Sequence, residues 1–113
     1  MKNTQLIIDT LHSLGISKCY KGYKQLLISV ELALDDESRL LCITENIYHQ
    51  AAEICNCECY NIERNIRTVA QRIWKVNPEK LSEMAGYTLC SSPSVSELIS
   101  ILVTYIERNN NKI

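Results

Sequence analysis

Residues that bend a chain are scarce here. The 113 residues include three glycines and two prolines, where average usage of about 7% and 5% would give roughly 13. So few turn-formers argue for few turns, hence long elements and a mostly helical chain. Long apolar runs are missing too. No stretch approaches the ~18 apolar residues of a membrane span. The first 14 residues are interrupted by Asp9, Thr10, His12 and Ser13, which denies them the apolar core of a signal peptide. An excess of one charge is also absent: 12 Lys and Arg stand against 13 Asp and Glu, a formal charge of −1. That excludes a uniformly basic coat for nucleic acid, though not a local basic face. Gly-rich phosphate loops, nucleophile elbows and paired carboxylates are lacking. No enzyme, catalytic residue or cofactor is expected.

What is present is ordinary globular composition, 46% apolar and 22% charged, which separates the chain from disordered sequences. The length suits one domain over residues 1–113 with a real core, in the cytoplasm. Charge is unevenly spread. Between residues 58 and 75, Arg64, Arg67, Arg72 and Lys75 face Glu58 and Glu63, a local balance of +2.

Six segments read as helical. Asn3 or Thr4 can cap a first helix carrying Leu6, Ile7, Leu11 and Leu14, with Gly15 as its left-handed stop. Residues 23–34 repeat Tyr23, Leu26, Leu27, Val30 and Leu34 at helical spacing. The polar break Asp35-Asp36-Glu37 then caps a helix over 38–48 with Leu41, Ile43 and Ile47. Residues 51–55 continue that segment in helical phase. Ile62, Ile66, Val69 and Ile73 form the clearest amphipathic stripe. Pro78 opens a short helix that Gly86 ends. Ser94-Val95-Ser96-Glu97 fits a capping box for the last helix, and residues 109–113 read as a frayed tail. The expected fold is an all-α bundle of about six helices.

Within it, Ala52, Asn56 and Ile62 meet the pattern of a helix-turn-helix: a small residue at the corner, a left-handed-tolerant residue four on, and a β-branched core residue six further. Ala51, Cys55 and Cys57 would pack the corner. An α-helix advances about 100° per residue, so the side opposite the stripe carries Tyr60, Asn61, Arg64, Arg67, Thr68, Gln71 and Lys75. Each can donate a hydrogen bond and none is acidic, the inventory for base edges and phosphates in a major groove. Glu63 sits on the flank, placed to accept from cytosine N4 or to pair with Arg67 one turn on.

With Lys21-Gly22-Tyr23, Ile62-Glu63-Arg64, Ile66-Arg67, Trp74, Gly86-Tyr87-Thr88, Pro93 and Ser96-Glu97 in order, the chain resembles the C-terminal DNA-binding domain of the sporulation initiation response regulator family. The resemblance runs from about Leu6 to about Glu107. It implies an all-helical domain whose recognition helix reads operator boxes in double-stranded DNA, often as a tandem head-to-tail homodimer. By position, Glu63 and Arg64 match the family's base-contacting Glu and Arg, and Arg67 a motif Arg beside the backbone. Departures are Asn61 for an Arg, Tyr60 for a Ser, Thr68 for a His, and Tyr48-His49 for Tyr-Pro. The family joins this domain to a receiver domain, for which 113 residues leave no room, so the expectation is a stand-alone relative, which Met1 favours, or a fragment of a longer chain.

Six cysteines raise two further questions. Cys55, Cys57 and Cys59 have Cys-x-Cys-x-Cys spacing, unlike the Cys-x2-Cys pairs of structural zinc. Cys19, Cys42 and Cys90 are scattered near apolar segments. All six are expected to be reduced packing residues with no metal bound. His12 and His49 read as polar-face residues, and Trp74 and Tyr87 as packing aromatics. The leading function is a sequence-specific DNA-binding transcription regulator. Two alternatives remain: an interaction module that dimerises with or titrates a full-length regulator, and a thiol or metal sensor on the same helix-turn-helix.

Overall fold

Positive φ marks three described residues, Gly15 at 85°, Asn56 at 55° and Gly86 at 83°, and each ends a helix. The computed structural model describes residues 4–110, and all regular structure among them is helical. The first helix, α1 (Thr4–Ser13), closes with Gly15 N donating to His12 O at 3.0 Å and Ile16 N to Leu11 O at 2.9 Å. This crossed pair needs a left-handed residue between its donors. Thr4 opens α1 and its hydroxyl donates to Glu31; Asn3, the other candidate cap, lies outside the described residues.

The next helix, α2 (Gly22–Asp35), is the element around which the core is built. It packs on α1, α3, α4 and α6 and buries Leu26, Val30 and Ala33 completely. Gly22 is its first residue for a steric reason. A Cβ there would stand 2.6 Å from Asn65 O and 2.7 Å from Val69 Cγ2, so only glycine lets α2 approach α4 this closely.

Between α2 and the short α3 (His49–Cys55) the chain departs from expectation. Residues 38–48 do not form one α-helix. Glu37–Cys42 is a 3-10 turn and Thr44–Tyr48 a π-helical stretch that runs directly into α3. The reason is that Leu41, Ile43 and Ile47 do not share an α-helical face. Leu41 is 90% exposed and Ile47 fully buried, and the tight turn followed by the wide one re-phases the chain. The expected cap is in place: Asp36 accepts from Ser38 N at 3.0 Å and Ser38 Oγ at 2.6 Å. Those bonds, side-chain first, hold its carboxyl below the usual carboxylate range.

The longest helix, α4 (Cys59–Val76), buries Ile62, Ile66, Val69 and Ile73 as the stripe predicts, with Ala70 beside them. Its end meets α5 (Pro78–Ala85) through Asn77, whose Nδ2 donates to Leu14 O at 3.1 Å and so ties this corner to the end of α1. Pro78 opens α5 and Gly86 closes it, as expected. The last helix, α6 (Val95–Asn110), is capped by Ser94, whose Oγ accepts from Glu97 N at 3.2 Å. It runs further than expected. Asn109 lies within the helix, its Nδ2 donating to Tyr105 O at 2.9 Å, while residues 111–113 of the expected tail are outside the described range.

Two side-chain expectations are corrected. Tyr87 is 52% exposed rather than buried, and its hydroxyl donates to Glu97 at 3.0 Å. Cys55, Cys57 and Cys59 are half-buried against the core, but Cys19, Cys42 and Cys90 are exposed because they stand on connecting segments or the outer side of the 3-10 turn.

Candidate nucleic-acid interface

The turn from α3 to α4 begins at Asn56, in the left-handed region at φ 55°, ψ 53°. Asn56 N donates to Glu53 O at 3.3 Å and Cys57 N to Ala52 O at 3.0 Å, the same crossed closure that ends α1. Glu58 is extended, at φ −81° and ψ 149°, and α4 starts at the next residue. Ala51, Ala52 and Ile62 are buried at this corner, so of the sequence pattern the small residue and the β-branched residue are buried and Asn56 is left-handed. Two helices are thus joined by a short turn, with the second held against the core by its apolar stripe.

That anchorage decides which side of α4 faces out. Tyr60, Arg64, Arg67, Thr68, Gln71 and Lys75 are exposed, and Asn61 and Glu63 are half-buried at the margins. All eight stand on α4, with Asn61 and Glu63 on its two flanks. Arg67 Nη2 bonds both carboxylate oxygens of Glu63 one turn back. The cation of Arg67 is therefore offset by a neighbour, in an exposed pair worth only about 0.3–0.5 kcal/mol. Among the described residues no ion pair holds Arg64. Thr68 Oγ1 donates to the backbone oxygen of Arg64 at 3.2 Å, a bond that does not involve the guanidinium.

The flanks of this face differ. Between α4 and the start of α2 runs a groove of about 570 Å³, whose walls carry Lys21 and Gln25 on one side and Asn61, Arg64 and Thr68 on the other. No acidic side chain lines it. On the opposite flank Glu58 and Glu63 line a cleft with Tyr48, Cys59 and Tyr60, and no basic one. Tyr48 reports that environment: burial first, then the charge of Glu63, pushes its hydroxyl up to about 12. Lys21 and Gln25 line this groove, and sequence reasoning did not place them beside α4. The signal was Gly22, since a glycine opening an otherwise regular helix marks a close approach that brings its neighbours to another element.

Burial, followed by the nearby Cys57, pushes the thiols of Cys55 and Cys59 above their ordinary value, so they stay protonated and poorly nucleophilic at neutral pH. Among the described residues no three His, Cys, Asp or Glu side chains come together to hold a metal. No described helix is long and apolar enough to cross a membrane.

The described residues thus form an all-α fold in which two helices meet at a short turn and the second turns a donor-rich side outward. The chain belongs to the family described as sporulation initiation factor Spo0A C terminal, whose family model matches residues 7–106. This is a family of DNA-binding effector domains acting in transcription regulation and sporulation, not a family of enzymes. No solved structure matches the chain.

Proposed function

We propose that this chain is a sequence-specific double-stranded DNA-binding regulator, in which α3 and α4 act as a helix-turn-helix and α4 enters the major groove. The reading takes residues 1–113 as one such domain, acting on DNA in the cytoplasm, and extends the family's tandem homodimer to it. One observation carries it: the outward side of α4 gathers Tyr60, Asn61, Arg64, Arg67, Thr68, Gln71 and Lys75 over a fully buried opposite stripe.

The roles divide along the helix. Arg64 is near the N-terminal end of α4 and about 200° from Ile62, so its guanidinium reaches guanine O6 and N7. Asn61 and Gln71 have amides suited to adenine N6 and N7. Glu63 accepts from cytosine N4 once Arg67 swings to a phosphate, an exchange their weak exposed pairing permits. Tyr60, Thr68 and Lys75 contact phosphates, Lys75 where the helix leaves the groove.

Selection of bound sites from random duplexes tests the reading. A short enriched motif containing a guanine is the expected result. Failure to bind any duplex overturns it and puts an interaction module, which captures a full-length regulator through the same face, in its place.

A further inference from the structure

The groove between α2 and α4 has the proposed base readers Asn61 and Arg64 on its α4 wall, while its α2 wall has no role in base reading, and its composition is that of an anion site. Lys21 and Arg64 stand on opposite walls and nothing acidic lies between them. Lys18 and Lys24, both exposed, lie three residues to either side of Lys21. Lys24 is close enough to the end of α3 that its charge opposes the upward shift of the Cys55 thiol. On the groove floor, Gln25 Nε2 has the sulfur of Cys57 as acceptor at 3.8 Å, a weak partner for an amide donor. The first turn of α2 contains no acid, and Lys21 gives it no side-chain cap, so the positive end of a 14-residue helix adds to the same potential.

We propose that this groove seats the sugar-phosphate backbone of one strand of the duplex that α4 enters, with Lys21 as its phosphate-binding side chain. The proposal rests on the DNA-binding reading and adds to it a contact surface on a second helix. The geometry follows from size. A helix about 10–12 Å across fills a major groove about 12 Å wide and is bordered by a backbone on each side. Whatever packs against the flank of that helix meets one of those strands. Gly22 presses α2 onto α4 at Asn65 and Val69, which sets Lys21 at that border. The other flank carries Glu58 and Glu63, so the strand held most tightly is the one on the α2 side.

Affinity as a function of salt concentration tests this, on a selected site and on a random-sequence duplex, for the unaltered chain, Lys21→Gln, Lys21→Arg and Lys80→Gln. Lys80 is a cation of α5, away from the groove lining. Lys21→Gln is expected to weaken both duplexes by the same factor, about five- to tenfold at ~0.1 M salt, and to lower the salt slope by about 1. Lys21→Arg and Lys80→Gln are expected to keep the original slope. An unchanged slope for Lys21→Gln, with the unaltered chain still binding, overturns the groove contact and leaves the DNA-binding reading standing. An equal loss in Lys80→Gln overturns it as general charge, and an equal loss in Lys21→Arg as damage to the fold. If the unaltered chain binds neither duplex, the underlying reading fails and the groove contact with it.

Discussion

On the flank of α4 that faces α2, Lys21 and Arg64 overlook a groove without an acidic side chain. On the flank that faces the Thr44–Tyr48 stretch, Glu58 and Glu63 line a cleft without a basic one. The same helix supplies a wall to both. A near-neutral chain can therefore present a strongly directional field, because the neighbours of α4 differ and not because α4 is itself highly charged. Exposed Arg67 shows the effect in one residue: on the acidic side it is already engaged by Glu63, while Arg64, one residue past Glu63 and turned toward the other side, has no such partner among the described residues.

Both flanks hang on one buried stripe, so the largest expected effect removes them together. Ile62 is fully buried under the turn, and Ile62→Ala should cost about 2–5 kcal/mol of stability. Denaturant unfolding measures it, and a cost within about 0.5 kcal/mol, the range of surface positions, would mean that Ile62 is not a core anchor.

A smaller change should break one flank and spare the other. Gly22→Ala places a Cβ against backbone at Asn65, so α2 must move off α4 at a cost of about 1–3 kcal/mol. Thermal unfolding would show the loss. Fluorescence of a probe attached at Cys19, which lines the groove, should report its opening, while the Tyr48 titration on the far flank stays as it was.

The smallest expected effect sharpens the electrostatic side of the comparison. Tyr48 ionises near 12 in the folded protein, chiefly through burial and next through Glu63, against about 10 in the unfolded chain. Its raised value means that the folded state holds the proton longer. The stability this contributes is present below about pH 10 and is lost as pH rises from about 10 to about 12. A tyrosinate absorbance titration should show a late-ionising step that disappears in Tyr48→Phe, distinct from that of Tyr87, whose hydrogen bond to Glu97 also raises it. Glu63→Gln should move that step downward, and no movement would mean that the cleft's negative field does not reach Tyr48.

Much of this architecture was legible in the sequence because single residues enforce it. Gly15 and Gly86 stop helices by taking positive φ, Ser94 caps α6, and a stripe at helical spacing has one face it can bury. Asn56 was legible for the same reason, being a residue that tolerates the left-handed region. The stretch from Glu37 to Tyr48 was not, since Leu41, Ile43 and Ile47 have no common period and tertiary packing settles their phase. Nor was the groove. Lys21 and Arg64 lie far apart along the chain, and only the contact of Gly22 with α4 makes them neighbours. The outward face of α4 was readable from a helical wheel, whereas the difference between its flanks depends on what packs beside it.

In the proposed function, α4 reads base edges through Arg64 while its far end holds phosphate. The most direct test measures binding of Arg64→Ala and Lys75→Ala to a selected site and to variants of it changed one base pair at a time. The account predicts that Arg64→Ala costs about 1–3 kcal/mol and abolishes preference at one base pair, whereas Lys75→Ala weakens all the duplexes alike and lowers the salt slope by about 1. Equal weakening of every duplex by Arg64→Ala would contradict it, making Arg64 a backbone anchor and placing some other side of α4 in the groove.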